Sequence, residues 1–351
     1  MRMRGVAVAG VLSALAAATM TVTAPATAEP AGSDVRVGTF NVVGVQADPN
    51  ASGERKRWRG RRGTVIAQIL AQKLDVVGLQ EVNQSTIYRS RLVDGINQYL
   101  DLRNGLRKAG GHYEVTSVYP YNCYRAYSSR KCTYRYRAAS GDNRILYNTD
   151  TLALVSRGAY KFPHQVRNST ARFMAWAVLR VKATGHDFLF TTTHLDPYSK
   201  SIRVAQWRDM IAKVNSLKGT RPVIVTGDLN TSKYSTWASS MLPAMRNNGY
   251  GDALGQQYAR NGIASRPESL RRVWINSFNA FRRDVRTYGY EEDRYDTRDP
   301  RTGNGIDWIF ASNHLPVREF EVVANLDEST LRIAGTIPSD HHLLRATVTL
   351  P

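Results

Sequence analysis

The sequence predicts a mixed α/β layer fold, and three observations carry that prediction. Short apolar, β-branched runs recur along the chain, each closed by a polar residue. Runs with helical spacing stand between them, and several strand-like segments follow one another with only turn residues between, as in antiparallel meanders. Alternating strands and helices bury their apolar faces best as stacked layers.

In chain order, the first strand is Val35 to Asn41, followed by a polar loop from Asp48 to Gly53. Val65, Ile66, Ile69, Leu70 and Leu74 recur at helical spacing and predict a helix over 58–74 that leads into a strand from Asp75 to Val82. A second helix is expected over 91–109, stopped by Gly110-Gly111. Strands are expected at 113–119, 145–148, 152–156 and 173–181, and again from Phe188 to Asp196. A helix over 201–217 connects that strand to the run Pro222 to Asn230, and a further helix is expected over 235–248. Residues 255–303 are polar, rich in Arg and Asp, and show no period. The last strand signals are Ile306 to Phe310 and the stretch after Ser339-Asp340-His341-His342.

The polar residues that close these runs have a common chemistry. If the strands lie side by side, Asn41, Glu81, His194, Asp228, Asn230, Asp307, Asp340 and His341 converge at one end. Asp307 and His341 suggest a base: a neutral imidazole takes a proton from water, and a carboxylate fixes its tautomer. His342, its neighbour, points to the other face if the segment is extended. The set is rich in oxygen, has two imidazoles and lacks thiolates, which suits Mg²⁺, Mn²⁺ or Ca²⁺, with Asp340 as one ligand.

Composition points to the compartment and the partner. Met1-Arg2-Met3-Arg4, an apolar run from Gly5 to Met20 and the A-x-A site Ala26-Thr27-Ala28 read as a secretory signal peptide over 1–28, with one domain over 29–351. Its removal would lower the formal charge only from +19 to +17, a surplus that favours nucleic acid or another polyanion. No later stretch is apolar enough to span a bilayer, and a monomer is expected. Cys123 and Cys132, an even pair in an exported chain, read as a disulfide. Two segments combine cations with aromatic rings: 55–62, around Trp58, and 119–137, which includes Arg125, Arg135 and Arg137.

The motifs Thr39-Phe40-Asn41, Leu79-Gln80-Glu81-Val82, Thr193-His194-Leu195, Gly227-Asp228-Leu229-Asn230, Ile306-Asp307-Trp308-Ile309 and Ser339-Asp340-His341 stand in one order. In them the chain resembles the endonuclease/exonuclease/phosphatase superfamily, from about Val35 to about Thr349. The resemblance implies a four-layer α/β/β/α sandwich with two central mixed β-sheets, and a metal-dependent phosphodiesterase or phosphatase. It implies that Glu81, with Asn41 beside it and Asp340, or secondarily Asp228, completing the shell, holds the ion. Asp228 would orient the nucleophile or leaving group, and Asn41 and Asn230 would contact the phosphoryl group. His194, protonated, would stabilise the charge that develops on phosphorus. Within the superfamily the Arg/Tyr segments favour a nuclease over a sphingomyelinase-like lipase or a phosphatase of small metabolites.

Overall fold

Successive residues along each central strand point to opposite faces, and the strands Val76–Gln80 and Val223–Asp228 are buried at every position, so each of two sheets has two buried faces. The computed structural model describes residues 32–83, 93–118, 140–167, 169–233, 235–255, 269–288 and 305–351. The expected signal peptide, Cys123, Cys132, Arg125, Arg135 and Arg137 lie outside the described residues. Gly32–Pro351 forms one compact unit.

The strands are β1 (Ser33–Asn41), β2 (Val76–Gln80), β3 (Tyr113–Val115), β4 (Arg144–Asn148), β5 (Leu152–Lys161), β6 (Phe173–Val181), β7 (Asp187–His194) and β8 (Val223–Asp228). They continue with β9 (Tyr250–Asp252), β10 (Ser269–Arg271), β11 (Asp307–Ser312), β12 (Val317–Val323), β13 (Leu326–Asp327), β14 (Arg332–Ile333) and β15 (Leu343–Leu350). The helices are α1 (Trp58–Ala71), α2 (Gln98–Lys108), α3 (Lys200–Lys218) and α4 (Thr236–Asn247). One sheet runs β10-β12-β15-β1-β2-β4-β3 and the other β5-β6-β7-β8-β11-β9, with β13 and β14 as a separate ribbon. β1/β2 and β7/β8 are parallel pairs among mostly antiparallel ones, so both large sheets are mixed.

Three apolar clusters fill the gaps between four layers. Phe188, Phe190, Ile224 and Ile309 of one sheet meet Val35, Val37, Ile145 and Val348 of the other. On the outer face of the first sheet, Phe40, Val77 and Leu79 pack under Val65 and Ile69 of α1 and Leu102 and Leu106 of α2. On the outer face of the second, Leu189, Val223, Val225 and Phe310 pack under Trp207 and Met210 of α3 and Met241 of α4. This is the α/β/β/α sandwich. A Cβ on Gly78 would lie 2.4 Å from the hydroxyls of Thr192 and Thr226 in the facing sheet, so position 78 admits only hydrogen.

Several boundaries differ from the sequence expectation. The helix expected from Arg91 begins at Gln98, because Val93 and Ile96 close a tight antiparallel turn with Asp94 and Gly95 in the left-handed region. The helix expected to reach Leu74 stops at Ala71, before Lys73 at φ +48°. β3 ends at Val115 rather than 119, and β5 runs on past 156 to Lys161 through a register shift after Leu154. Asp307 opens its strand instead of following it. Since β11 is antiparallel to β8, that places Asp307 opposite Asp228 at the same edge.

Candidate active site

Register brings the polar strand ends together. His194 pairs with Asp228 in the parallel β7/β8 ladder, and Asp228 pairs with Asp307 in the antiparallel one, giving one row across the second sheet. In the first sheet Asn41 and Gln80 close β1 and β2 side by side, with Glu81 next in the chain, and Asp340-His341 precede β15. The Asn41 amide joins the two sheets, donating to Glu81 Oε1 (3.0 Å) and Asp228 Oδ2 (3.1 Å). All eight predicted residues thus lie at one end of the sandwich.

The His341–Asp307 pair is built from below. Nδ1 of His341 lies 2.8 Å from Asp307 Oδ2, which also accepts from the Ser277 hydroxyl at 2.7 Å. That hydroxyl in turn accepts from the backbone N–H groups of Ile306 (3.0 Å) and Asp307 (3.3 Å), so its proton is directed at the carboxylate. Nε2 of His341 faces inward, 3.7 Å from Asp228 Oδ2 and 4.0 Å from Asp340 Oδ1. Phe278 sets its ring edge against the imidazole, centroids 5.0 Å apart. His342 turns away, its Nε2 3.2 Å from the Tyr288 hydroxyl in the core.

Ser277 belongs to a loop that gave no sequence signal. Its neighbour Asn279 donates its backbone N–H to the Asp340 carbonyl (2.6 Å) and its amide to the Ser339 carbonyl (3.1 Å). Ala280 and Phe281 follow at φ +51° and +58°, left-handed conformations that ordinary side chains adopt at a cost of about 1–3 kcal/mol each. Loop and catalytic segment therefore hold each other. Arg61 is the other residue that sequence reading misplaced: buried in α1, it donates to the carbonyls of Val42, Val43 and Pro338 (3.0 Å to the last), tying the Asn41 loop to the segment before Asp340. Burial lowers its pKa to about 10, which still leaves it charged at neutral pH.

The 55–62 segment is corrected accordingly. Trp58 is fully buried under α1 and offers no face to a base. Arg59 pairs with Asp94 and Arg62 with Asp101. At Gly227 a Cβ would meet the Thr193 carbonyl at 2.3 Å, so glycine here allows the close contact of β7 and β8.

Charge is arranged unevenly. For His341, burial opposes protonation, yet Asp307, Asp228 and Asp340 outweigh it and raise the ring well above its ordinary value. Burial, then the Arg172 charge and then His341, holds His194 well below it. The electrostatics thus run against the sequence expectation of a neutral His341 and a protonated His194: three carboxylates favour the charged form of His341, while burial, ahead of the Arg172 charge, disfavours it at His194 even though Asp228 lies 3.4 Å away. Burial, with Asp307 adding to it, raises Asp228 against the pull of His341.

Asp228, Asp307 and His341 place three ligand-type atoms within 4.8 Å of one another. They are linked through protons, however, His341 Nδ1–H donating to Asp307 and Asn41 and Asn230 donating to Asp228. A better cation site is the neighbouring pair Glu81 and Asp340. Burial, and after it the nearby Glu81 charge, raises Asp340, which is the situation a cation relieves. Glu81 is only partly buried and sits at φ +58°, an uncommon conformation for a non-glycine residue. Oxygen donors of this kind fit a hard divalent ion. As oriented, Asn41 turns its amide nitrogen to the carboxylates while its Oδ1 accepts from Val43 N–H (3.1 Å), so here it positions the ligands. Asn230, also left-handed at φ +47°, donates its N–H to Asp228 Oδ1 (2.9 Å) and its amide to the Leu195 carbonyl (3.1 Å).

Two mixed sheets with acids and imidazoles at their shared edge define a hydrolase of phosphoric esters. The chain belongs to the endonuclease/exonuclease/phosphatase family, whose model matches residues 38–341 and whose members are metal-dependent. No curated protein matches the sequence. Among solved structures, an endonuclease/exonuclease/phosphatase from Bacteroides vulgatus is similar at 22% identity and a TM-score of 0.60, covering 91% of this chain and 100% of that one. A mannosyl-6-phosphatase from Bacteroides thetaiotaomicron is similar at 18% identity and a TM-score of 0.58, covering 90% and 99%. D. rerio TDP2, complexed with a single-strand DNA product, is similar at 14% identity and a TM-score of 0.54, covering 90% and 99%.

The buried His342 has a measurable consequence. Burial and the neighbouring His341 charge lower its pKa from 6.5 to about 3. A base depressed in the folded state contributes stability that is complete above about pH 6.5 and is lost as pH falls toward 3. Relative to a His342→Gln variant, the wild type should lose stability below that point at a slope approaching about 1.4 kcal/mol per pH unit. Urea unfolding of both proteins from pH 7.5 to 5 measures this; parallel pH curves would refute it.

Proposed function

We propose that the protein is a secreted, monomeric nuclease that uses a divalent ion, Mg²⁺ foremost, to hydrolyse phosphodiester bonds of DNA, with residues 1–28 removed on export. The observation that carries the polynucleotide reading is the charge: 48 Lys and Arg against 29 Asp and Glu. A surplus of this size attracts a phosphate backbone within about a Debye length of the surface, and the more so at low salt. TDP2, similar in fold, is complexed with a DNA product.

In this reading Glu81 and Asp340 hold the ion, which when bound supplies positive charge to the phosphoryl oxygens. His341, fixed by Asp307 through Nδ1, takes the proton of the attacking water at Nε2 in its neutral form, whose share grows as pH rises. Asp228 stands 3.7 Å from that nitrogen and 3.4 Å from His194 Nε2, between the two rings, and orients the reacting oxygens. The Asn41 amide and the Asn230 backbone N–H both donate to Asp228, which fixes that carboxylate beside His194.

A phosphatase of small phosphorylated sugars is the second reading, favoured by the similarity to the mannosyl-6-phosphatase. A sphingomyelinase-like lipase finds less support: among the described residues the exposed large apolar side chains are Val118, Val155 and Tyr198, which do not form a membrane-inserting hairpin. The deciding experiment offers the purified protein supercoiled plasmid, RNA, mannose 6-phosphate and sphingomyelin vesicles, each with Mg²⁺ or with EDTA. Nicking of plasmid in Mg²⁺ alone is expected, together with DNA affinity that falls steeply with salt. Rapid turnover of mannose 6-phosphate with DNA left intact, or a flat salt dependence, would decide against the nuclease.

A further inference from the structure

Several arginines already have partners: Arg59 has Asp94, Arg62 has Asp101, Arg283 has Glu54, and Arg61 has the carbonyls of Val42, Val43 and Pro338. Arg172 has no carboxylate partner among the described residues. It immediately precedes β6, and the pairing of Met174 with Thr193 puts it beside the end of β7, next to His194. Its backbone is fixed on both sides, the N–H donating to Gln165 Oε1 (2.9 Å) and the carbonyl accepting from Gln165 Nε2 (2.9 Å) and Phe162 N–H (3.2 Å). Its side-chain Nε is buried and has no hydrogen-bond partner among the described residues. A buried guanidinium donor left in this way carries a desolvation cost that an anionic oxygen would offset.

A second arginine lies against the loop that holds Asp340. Arg55 closes the Ser52–Arg55 turn, and its guanidinium lies 5.7 Å from the centroid of the Phe281 ring. Phe281 belongs to the loop whose Phe278 packs on His341 and whose Asn279 holds Asp340. The Arg55 charge is felt at Asp340, as that of Arg172 is at His194. Stacked on an aromatic ring, a guanidinium keeps its donor edge free, and its fork matches two oxygens of a phosphate.

We infer that Arg172 and Arg55 receive the phosphates on either side of the scissile one, Arg172 next to His194 and Arg55 next to Asp340, so that the substrate is a strand with consecutive phosphates. This rests on the nuclease reading above. A sugar monophosphate, with one phosphate at the centre, would leave both arginines unused.

The test compares wild type with Arg172→Gln, Arg55→Gln and Arg172→Lys. Binding of a fluorescein-labelled single-stranded oligodeoxynucleotide is followed by anisotropy in EDTA over a salt series, and hydrolysis of the same oligonucleotide and of bis(p-nitrophenyl) phosphate is followed in Mg²⁺. Each Gln variant should bind roughly fivefold more weakly, with a salt slope lower by about one. Arg172→Lys should keep the slope, because the charge remains. The rise in KM should be much larger for the oligonucleotide than for the small diester. Equal losses on both substrates would place Arg172 at the scissile phosphate itself and overturn the inference. So would oligonucleotide binding unchanged from wild type, even though the nuclease reading would stand. If the wild type neither binds nor cleaves the oligonucleotide and leaves plasmid intact, the nuclease reading itself has failed; if it nicks plasmid but ignores the oligonucleotide, the inference alone is overturned.

Discussion

His341→Ala is expected to lower kcat by on the order of 10²–10⁴, the usual contribution of a positioned proton-transfer group. The ring is the one imidazole in the site whose Nδ1 is fixed by a buried carboxylate, 2.8 Å away, while its Nε2 faces the reaction centre. Asp307→Asn should cost a comparable factor, since an amide in that place no longer fixes the tautomer. It should also move the acidic limb of the pH–rate profile downward, because the Asp307 charge is the foremost of those that raise the ring. His342→Ala should leave the rate near wild type and reduce stability instead, because that ring is packed against Tyr288 in the core. Steady-state kinetics and urea unfolding of the three variants separate these effects. A larger rate loss in His342→Ala than in His341→Ala would mean that the wrong ring has been assigned to the centre.

Much of this arrangement is readable in the sequence because it sits on strand ends. β1, β2, β7 and β8 are apolar runs buried on both faces, so their composition marks them, and the first polar residue after each marks the edge. Asn41, Glu81, His194 and Asp228 are found in that way. What supports them is not readable. Ser277 and Asn279 lie in a polar stretch without period, and their conformation is set by partners some thirty to sixty residues away, Asp307 and Ser339. Arg61 lies in a run of cations that suggests a solvated, nucleic-acid-facing surface, yet it points inward to three carbonyls. Long-range hydrogen bonds decide both cases, and no local pattern encodes them. The α2 start is missed for a related reason: the turn at Asp94-Gly95 interrupts a stretch whose composition is otherwise helical.

Glu81→Gln is expected to remove at least about 10³-fold of the activity while the fold persists. A cation's charge on a phosphoryl oxygen contributes several kcal/mol to the transition state, and about 4 kcal/mol corresponds to that factor. Glutamine keeps the shape of the side chain, so the bond from the Asn41 amide at 3.0 Å can still form and the loop geometry is retained. The charge is what changes. Without the ion, Glu81 and Asp340 repel each other, Glu81 being one of the groups that raise Asp340, so the variant should be at least as stable as the wild type in EDTA. Its melting temperature should no longer rise with added Mg²⁺, whereas that of the wild type should rise with the logarithm of ion concentration once the site is saturated. This thermal readout is independent of turnover. Full activity of the wild type after dialysis against excess EDTA would refute the role given to Glu81, and so would a Glu81→Gln protein that Mg²⁺ still stabilises as it does the wild type.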